Sequence, residues 1–189
     1  MVLDNVNPAI KNLGVTLILM QVARKIDFDR PDVLFGVRCL YVFSQLFILG
    51  VYYYVSIKIK SKNDQTLLKY IEPKTPGSQE PGVPVSTTYR DYDLAETSKQ
   101  VRQVLIGIAM MCFLHGYMKY TQPLFLQSLM PMKAALEAKI VQLHLFGQPA
   151  TGELKRPFKV GGLMGAADPV TDKAAIKQAE KTRAARKDE

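Results

Sequence analysis

Apolar positions in this chain gather into long runs rather than the strict alternation of a half-buried sheet. The longest, Val33 to Ile57 (VLFGVRCLYVFSQLFILGVYYYVSI), carries one formal charge, Arg38, and no proline. About 20 mostly apolar residues at 1.5 Å per residue cross a hydrocarbon core of about 30 Å, so this run predicts a transmembrane helix over 33–57. Tyr52, Tyr53 and Tyr54 close it where amphipathic rings prefer the headgroup level, and Lys58, Lys60 and Lys62 follow, which assigns that end to the cytosol. A second strong span is expected around VLIGIAMMCFLHGY, residues 102–119 with its flanks, bounded by Arg102 and Lys119. Two weaker segments accompany them. Residues 5–23 hold LGVTLILMQVA, short for a span, and read either as a spanning helix or as a re-entrant or interfacial one. Residues 122–146 follow Pro123 and are split by Pro131 into an apolar piece and an amphipathic helix, with Lys133, Glu137 and His144 near one face and Leu136, Ile140 and Leu143 near the other.

The polar residues inside these runs are the candidate chemistry. Arg38, Tyr41, Gln45 and Tyr52 recur at helical spacing and share a face. Two readings stand for that stripe. Arg38 snorkels to headgroups while Gln45 bonds a neighbouring helix, or the stripe lines a hydrated groove, since an ionisable group at membrane depth is costly. His115 sits on the side of Met111 and Met118, where a packed or hydrogen-bonded histidine is the plainer expectation. The groove candidates are therefore Arg38, Tyr41, Gln45, His115, Lys133 and Glu137. Cys39 and Cys112 fall in apolar runs and read as buried thiols. With no nucleophile, metal cluster or phosphate-cradling glycine loop in the pattern, the expectation is a non-enzyme with no catalytic residue, metal or cofactor.

Residues 58–100 lose the apolar period, and Pro73, Pro76, Gly77, Pro81, Gly82 and Pro84 break any long helix. This is expected to be an exposed cytosolic connector, in which Leu67, Leu68 and Ile71 suggest a short amphipathic turn or helix and Asp93 a helix start. From Gly147 the tail passes Gly161, Gly162 and Gly165 and ends in DPVTDKAAIKQAEKTRAARKDE, a charged, alanine-rich helix capped near Thr171 or Asp172. It is expected to be solvated or disordered, with phosphates of ribosomal RNA as the sharper alternative partner. Basic flanks place connector and tail in the cytosol, so 102–119 must be followed by a returning segment, and 122–146 is the candidate. Phe28 and Thr121 are then luminal. The net charge of +8 suits surfaces that meet anionic lipid or RNA, and the near-zero mean hydropathy averages two unlike parts. The predicted fold class is an all-α integral membrane protein with two strong spans, two marginal or broken membrane segments and a basic cytosolic tail. A membrane domain over 1–146 precedes that tail at 147–189.

The blocks MQVARKIDF, KNDQTLLKYIEP, TTYRDYDL, GIAMMCFLHGYMKYTQPLF and HLFGQPATGELKRPFK, spread from Met20 to Lys159, resemble the fungal SRP-independent targeting family, the third SND component, also called the inorganic phosphate transport family. The resemblance implies a protein of the endoplasmic reticulum membrane that helps target or insert client membrane proteins, and the expected spans make it multi-pass. Its implied partners are the Sec translocon, other SND components and the lipid bilayer. It supplies no catalytic residues. Insertion through a polar groove is the favoured activity, with an outline similar to Oxa-type insertases, and a small transporter or accessory subunit for inorganic phosphate is the alternative.

Overall fold

The computed structural model describes residues 8–72, 82–159 and 168–185. Helix α1 runs Pro8–Lys25 and α2 Pro31–Lys62, each opening on a proline whose missing N–H would have had no intrahelical partner. Strands β1 (Leu67–Glu72) and β2 (Val83–Thr88) follow, then α3 (Tyr89–Met111), which runs into a π-helical turn at Cys112–Tyr117. Helices α4 (Gln122–Glu137), α5 (Lys139–His144) and α6 (Lys173–Ala185) complete the order. The chain divides into two compact units, Met1–Tyr54 with Ser98–Val141, and Val55–Thr97 with Gln142–Glu189.

In the first unit α1 packs on α4. Val37 and Tyr41 of α2, Met111 of α3 and Leu124 of α4 form a buried cluster, with Phe28, Leu114 and Phe125 packed against it. Outside this cluster α2 buries Ser44, Gln45, Ile48 and Tyr52 and leaves much of its remaining surface in this unit bare. Phe35, Val42, Phe43, Leu46 and Tyr53 are exposed, as are Leu13, Leu17 and Ile18 of α1 and Leu105, Ile106 and Met110 of α3. At Lys119 the backbone turns into the left-handed region (φ 62°), which ends the π-helical turn before α4.

In the second unit β1 and β2 form an antiparallel pair with Leu68 opposite Thr87 and Tyr70 opposite Val85. The inward residues of β1 alternate, Leu68 and Tyr70 being buried and Leu67 and Lys69 exposed. The Tyr70 ring meets Tyr92 edge-on at 5.8 Å, and Tyr92 lies 5.5 Å from Phe158. Val170 extends the sheet by bridging Ile71. Asp172 accepts the Ala174 N–H at the start of α6, which packs on both strands and buries Ile176.

These observations correct the expected fold class. The protein is not all-α, because residues expected to form an amphipathic turn or helix are a strand, paired across 73–81 with a β-branched partner, Val83–Thr88. Nor are there two strong spans, for among the described residues α2 alone is long and apolar enough to cross a membrane. The apolar half of α3 falls short because its other half carries Arg90, Asp91, Asp93, Glu96, Lys99 and Arg102, and the π-helical turn follows at Cys112. Thr88, not Asp93, caps α3, its hydroxyl accepting the Asp91 N–H at 3.1 Å. Helix α4 continues through Pro131 and breaks at Ala138, where ψ is 131°. The tail helix is docked through Ile176 rather than free. The loop prolines at 73, 76 and 81, residues 5–7 and glycines 161, 162 and 165 lie outside the described residues.

Gly82 introduces β2 so closely that a Cβ there would meet the Ile71 side chain at 2.6 Å and the Glu72 carbonyl oxygen at 2.7 Å. Backbone cannot yield as a flexible side chain can, so Gly82→Ala is expected to cost about 1–3 kcal/mol. Thermal unfolding in detergent micelles should show a lower midpoint than the parent; an unchanged midpoint would mean the hairpin does not close this tightly.

Candidate functional site

A proline inside a helix removes the N–H that would reach the carbonyl four residues earlier. Pro131 therefore strips the Gln127 carbonyl of its partner in the α4 ladder. The amide of Gln45, projecting from α2, donates to that carbonyl at 3.3 Å and to the Ser44 hydroxyl at 3.3 Å. Ser44 in turn donates to the Tyr41 carbonyl at 2.8 Å, so a buried polar chain crosses from α2 to α4 within the first unit.

Beside this chain lies a cavity of about 160 Å³ lined by Gln45, Ile48 and Tyr52 of α2, Gln100, Gln103, Val104 and Gly107 of α3, and Gln127, Pro131, Ala134 and Ala135 of α4. Four of these are glutamines and none is ionised at neutral pH. A primary amide offers two donors and an acceptor with two lone pairs, so the lining can exchange hydrogen bonds with water or a peptide without fixing a charge. Each water takes about 30 Å³, so the cavity has room for several.

The other candidate residues form separate contacts. Arg38 Nε donates to His115 Nε2 at 3.0 Å, and His115 Nδ1 lies 3.1 Å from the Tyr120 carbonyl. An accepting Nε2 and a donating Nδ1 together specify the neutral imidazole with its proton on Nδ1. Lys133 bonds Glu137 one turn on at 2.6 Å and Asn12 of α1 at 2.8 Å, fastening α1 to α4. Tyr41 belongs to the apolar cluster. Thus the structure brings Arg38 to His115 and Lys133 to Glu137, while Gln45, of the six, lines the cavity. Gln100, Gln103 and Gln127 went unnoticed in the sequence. Gln100, Gln103 and Gly107 share one face of α3 at spacings of three and four, which was the available signal.

The second unit contains a buried ionic cluster that the sequence pattern also concealed. Asp93 accepts both Arg156 Nε and Nη2 at 2.6 Å and lies 2.7 Å from His144 Nε2; the Asp93 side chain is 3% exposed. The Arg156 guanidinium also stacks 4.9 Å above the Tyr89 ring. Burial alone would lower the arginine's pKa, but the Asp93 hydrogen bonds and charge outweigh it and hold it above its ordinary value. Tyr92 beside it accepts the Phe158 N–H at 2.7 Å, and burial pushes its phenol up despite that bond. These contacts fasten residues 144–158 to the first turns of α3. Among the described residues no group of histidine, cysteine or carboxylate side chains could hold a metal.

Residues 6–187 match the family described as phosphate transport (Pho88). The chain belongs to the Pho88 family. It is 44% identical over 178 residues to SRP-independent targeting protein 3 of Saccharomyces cerevisiae, covering 93% of this chain and 95% of that one. It is 43% identical over 180 residues to the SRP-independent targeting protein 3 homolog of Schizosaccharomyces pombe, covering 94% and 93%. No solved structure matches. The Pho88 match takes in both the glutamine-lined cavity and the Asp93 cluster.

Removing Asp93 from this Pho88 chain would leave a buried guanidinium unpaired. Asp93→Ala is expected to cost about 3–5 kcal/mol, and a matched apolar pair, Asp93→Leu with Arg156→Leu, to recover much of it. Thermal unfolding of the two variants decides the point: a single variant as stable as the parent would show that the ionic cluster is not what anchors residues 144–158.

Proposed function

We propose that this chain is a targeting and insertion factor of the SRP-independent pathway, seated in the endoplasmic reticulum membrane beside the Sec translocon. The observation that carries the reading is the glutamine-lined cavity in a unit whose long apolar helix is only partly covered by protein. Only 28% of the most apolar window of α2 is buried, whereas the core helix of a soluble protein would be mostly covered. Lipid is the natural solvent for such a face. A client's hydrophilic flank meets uncharged amides in the cavity while its apolar helix passes into the surrounding lipid, which lowers the cost of carrying polar groups through hydrocarbon. The names of the two yeast relatives support the pathway assignment.

The family description favours a second reading, phosphate transport. A phosphate path calls for cations or helix N-termini aimed at the anion. The cavity lining carries none, and Arg38 is bound to His115 outside it. Insertion is the better fit.

The test is reconstitution of the purified protein into liposomes, scoring insertion of a tail-anchored or multispanning client beside phosphate flux. Insertion without flux is expected, and flux without insertion would reverse the ranking. Gln45→Leu with Gln103→Leu should keep normal abundance yet lower insertion by about tenfold, a barrier change of about 1.4 kcal/mol. Arg38→Leu should leave insertion unaltered if Arg38 only ties α2 to the π-helical turn through His115. A drop with Arg38→Leu, at unchanged abundance, would bring Arg38 into the mechanism.

The lysines at the end of α2 support an orientation with that end and the second unit in the cytosol. In sealed microsomes, with Cys39 and Cys112 replaced, cysteines introduced at Ser78 and Ala175 should react with an impermeant reagent added outside, and one at Phe28 should not. Protection of both Ser78 and Ala175 would invert the orientation.

A further inference from the structure

Among the described residues, the second unit leaves one sheet edge open beside a basic groove. Ile71 donates to the Val170 carbonyl at 2.9 Å and accepts the Val170 N–H at 3.3 Å, so its backbone groups point away from β2. Its cross-strand neighbour Pro84, which has no N–H, agrees with that direction. Backbone direction alternates along a strand, so Lys69 and Leu67 present their N–H and C=O groups on the same edge. The segment that pairs at Val170 leaves this edge at Asp172, whose carbonyl accepts the Ile176 N–H as α6 begins. Among the described residues no backbone group continues the pairing along Lys69 and Leu67.

Next to that edge lies a groove of about 650 Å³. Leu67, Leu68 and Ile176 supply its apolar lining, and Leu67 is 64% exposed. Two of its basic residues are already engaged, Lys69 with Glu180 at 3.0 Å and Arg156 with Asp93. Lys155, Lys173 and Lys177 also line it and have no acidic partner among the described residues.

We propose that this edge is a docking site for an acidic, extended segment of a partner protein, which adds a strand beside Leu67–Lys69. Backbone hydrogen bonds at an open edge supply affinity without regard to sequence, and the flanking groove selects the side chains. Here the selection is for carboxylates over the three lysines, alternating with apolar side chains that lie beside the exposed Leu67. The Val170 bridge shows that the same edge already accepts an extended segment. Without a partner it is an exposed strand edge, which proteins ordinarily cover or blunt with charge. The site goes beyond the insertion reading, and its test does not depend on insertion.

The probe is a fluorescein-labelled eight-residue peptide alternating glutamate and valine, measured by anisotropy against the full-length protein in detergent micelles. It should bind at least about tenfold more tightly than the same peptide with lysine for glutamate. Lys155→Glu with Lys177→Glu should reverse that preference. Leu67→Pro removes an open-edge N–H that the hairpin does not use and should weaken binding well beyond Leu67→Ala, which keeps the N–H. Should the proline variant unfold, N-methylation of the peptide's valines makes the same test from the ligand's side and should abolish binding. Equal affinity for acidic and basic peptides would overturn the proposal. So would indifference to both backbone changes, or displacement of the peptide by millimolar inorganic phosphate with the backbone changes harmless, which would make the groove a phosphate site.

Discussion

Ser44 and Gln45 sit within an apolar helix, and hydrocarbon offers an amide nothing to bond, so both must find partners inside the protein. Pro131 provides one. By withholding its N–H it leaves the Gln127 carbonyl free, and Gln45 donates to it across the gap between α2 and α4. The two defects answer each other, a polar side chain in an apolar helix and an unpaired carbonyl in a prolyl one. Around them Gln100 and Gln103 of α3 complete a cavity that is polar yet uncharged. Absence of charge matters for the proposed insertion role, because a fixed cation or anion would bind one class of client flank and repel the other. Phe35, Val42, Phe43 and Leu46 of α2 and Leu105, Ile106 and Met110 of α3 stay apolar and exposed.

The second unit solves a different problem. A two-stranded hairpin is marginal by itself, and the tail has little apolar area. Tyr92 lies between Tyr70 and Phe158, Ile176 is buried, and Asp93 clamps Arg156 and His144. Segments distant in sequence are thereby held as one small folded body rather than as a connector and a loose tail.

Local patterns could be read from the chain, and pairings across it could not. The long helix was legible because its hydropathy is continuous over 33–57, and the tail helix because Asp172 precedes an alanine-rich run. The hairpin escaped notice because β1 buries only Leu68 and Tyr70 and its partner lies beyond a proline- and glycine-bearing stretch. Asp93 resembles a helix-start residue until Arg156 and His144, 63 and 51 positions away, are placed beside it. Pro131 marked a break in the pattern, but its physical effect is to free a carbonyl within a helix that continues. Gln100 and Gln103 were masked by the charged residues around them, which lowered the apolar signal of α3 and made its polar face look like ordinary solvated surface.

The central claim is that the proline-freed carbonyl holds Gln45 in place and keeps the cavity polar. Pro131→Ala tests it directly, because alanine restores the N–H that competes for the Gln127 carbonyl and relieves a helix-interior proline worth about 3 kcal/mol in propensity. Thermal stability and client insertion would be measured on the same reconstituted preparation. The account predicts a protein at least as stable as the parent that inserts clients less well. A variant with higher stability and undiminished insertion would contradict it.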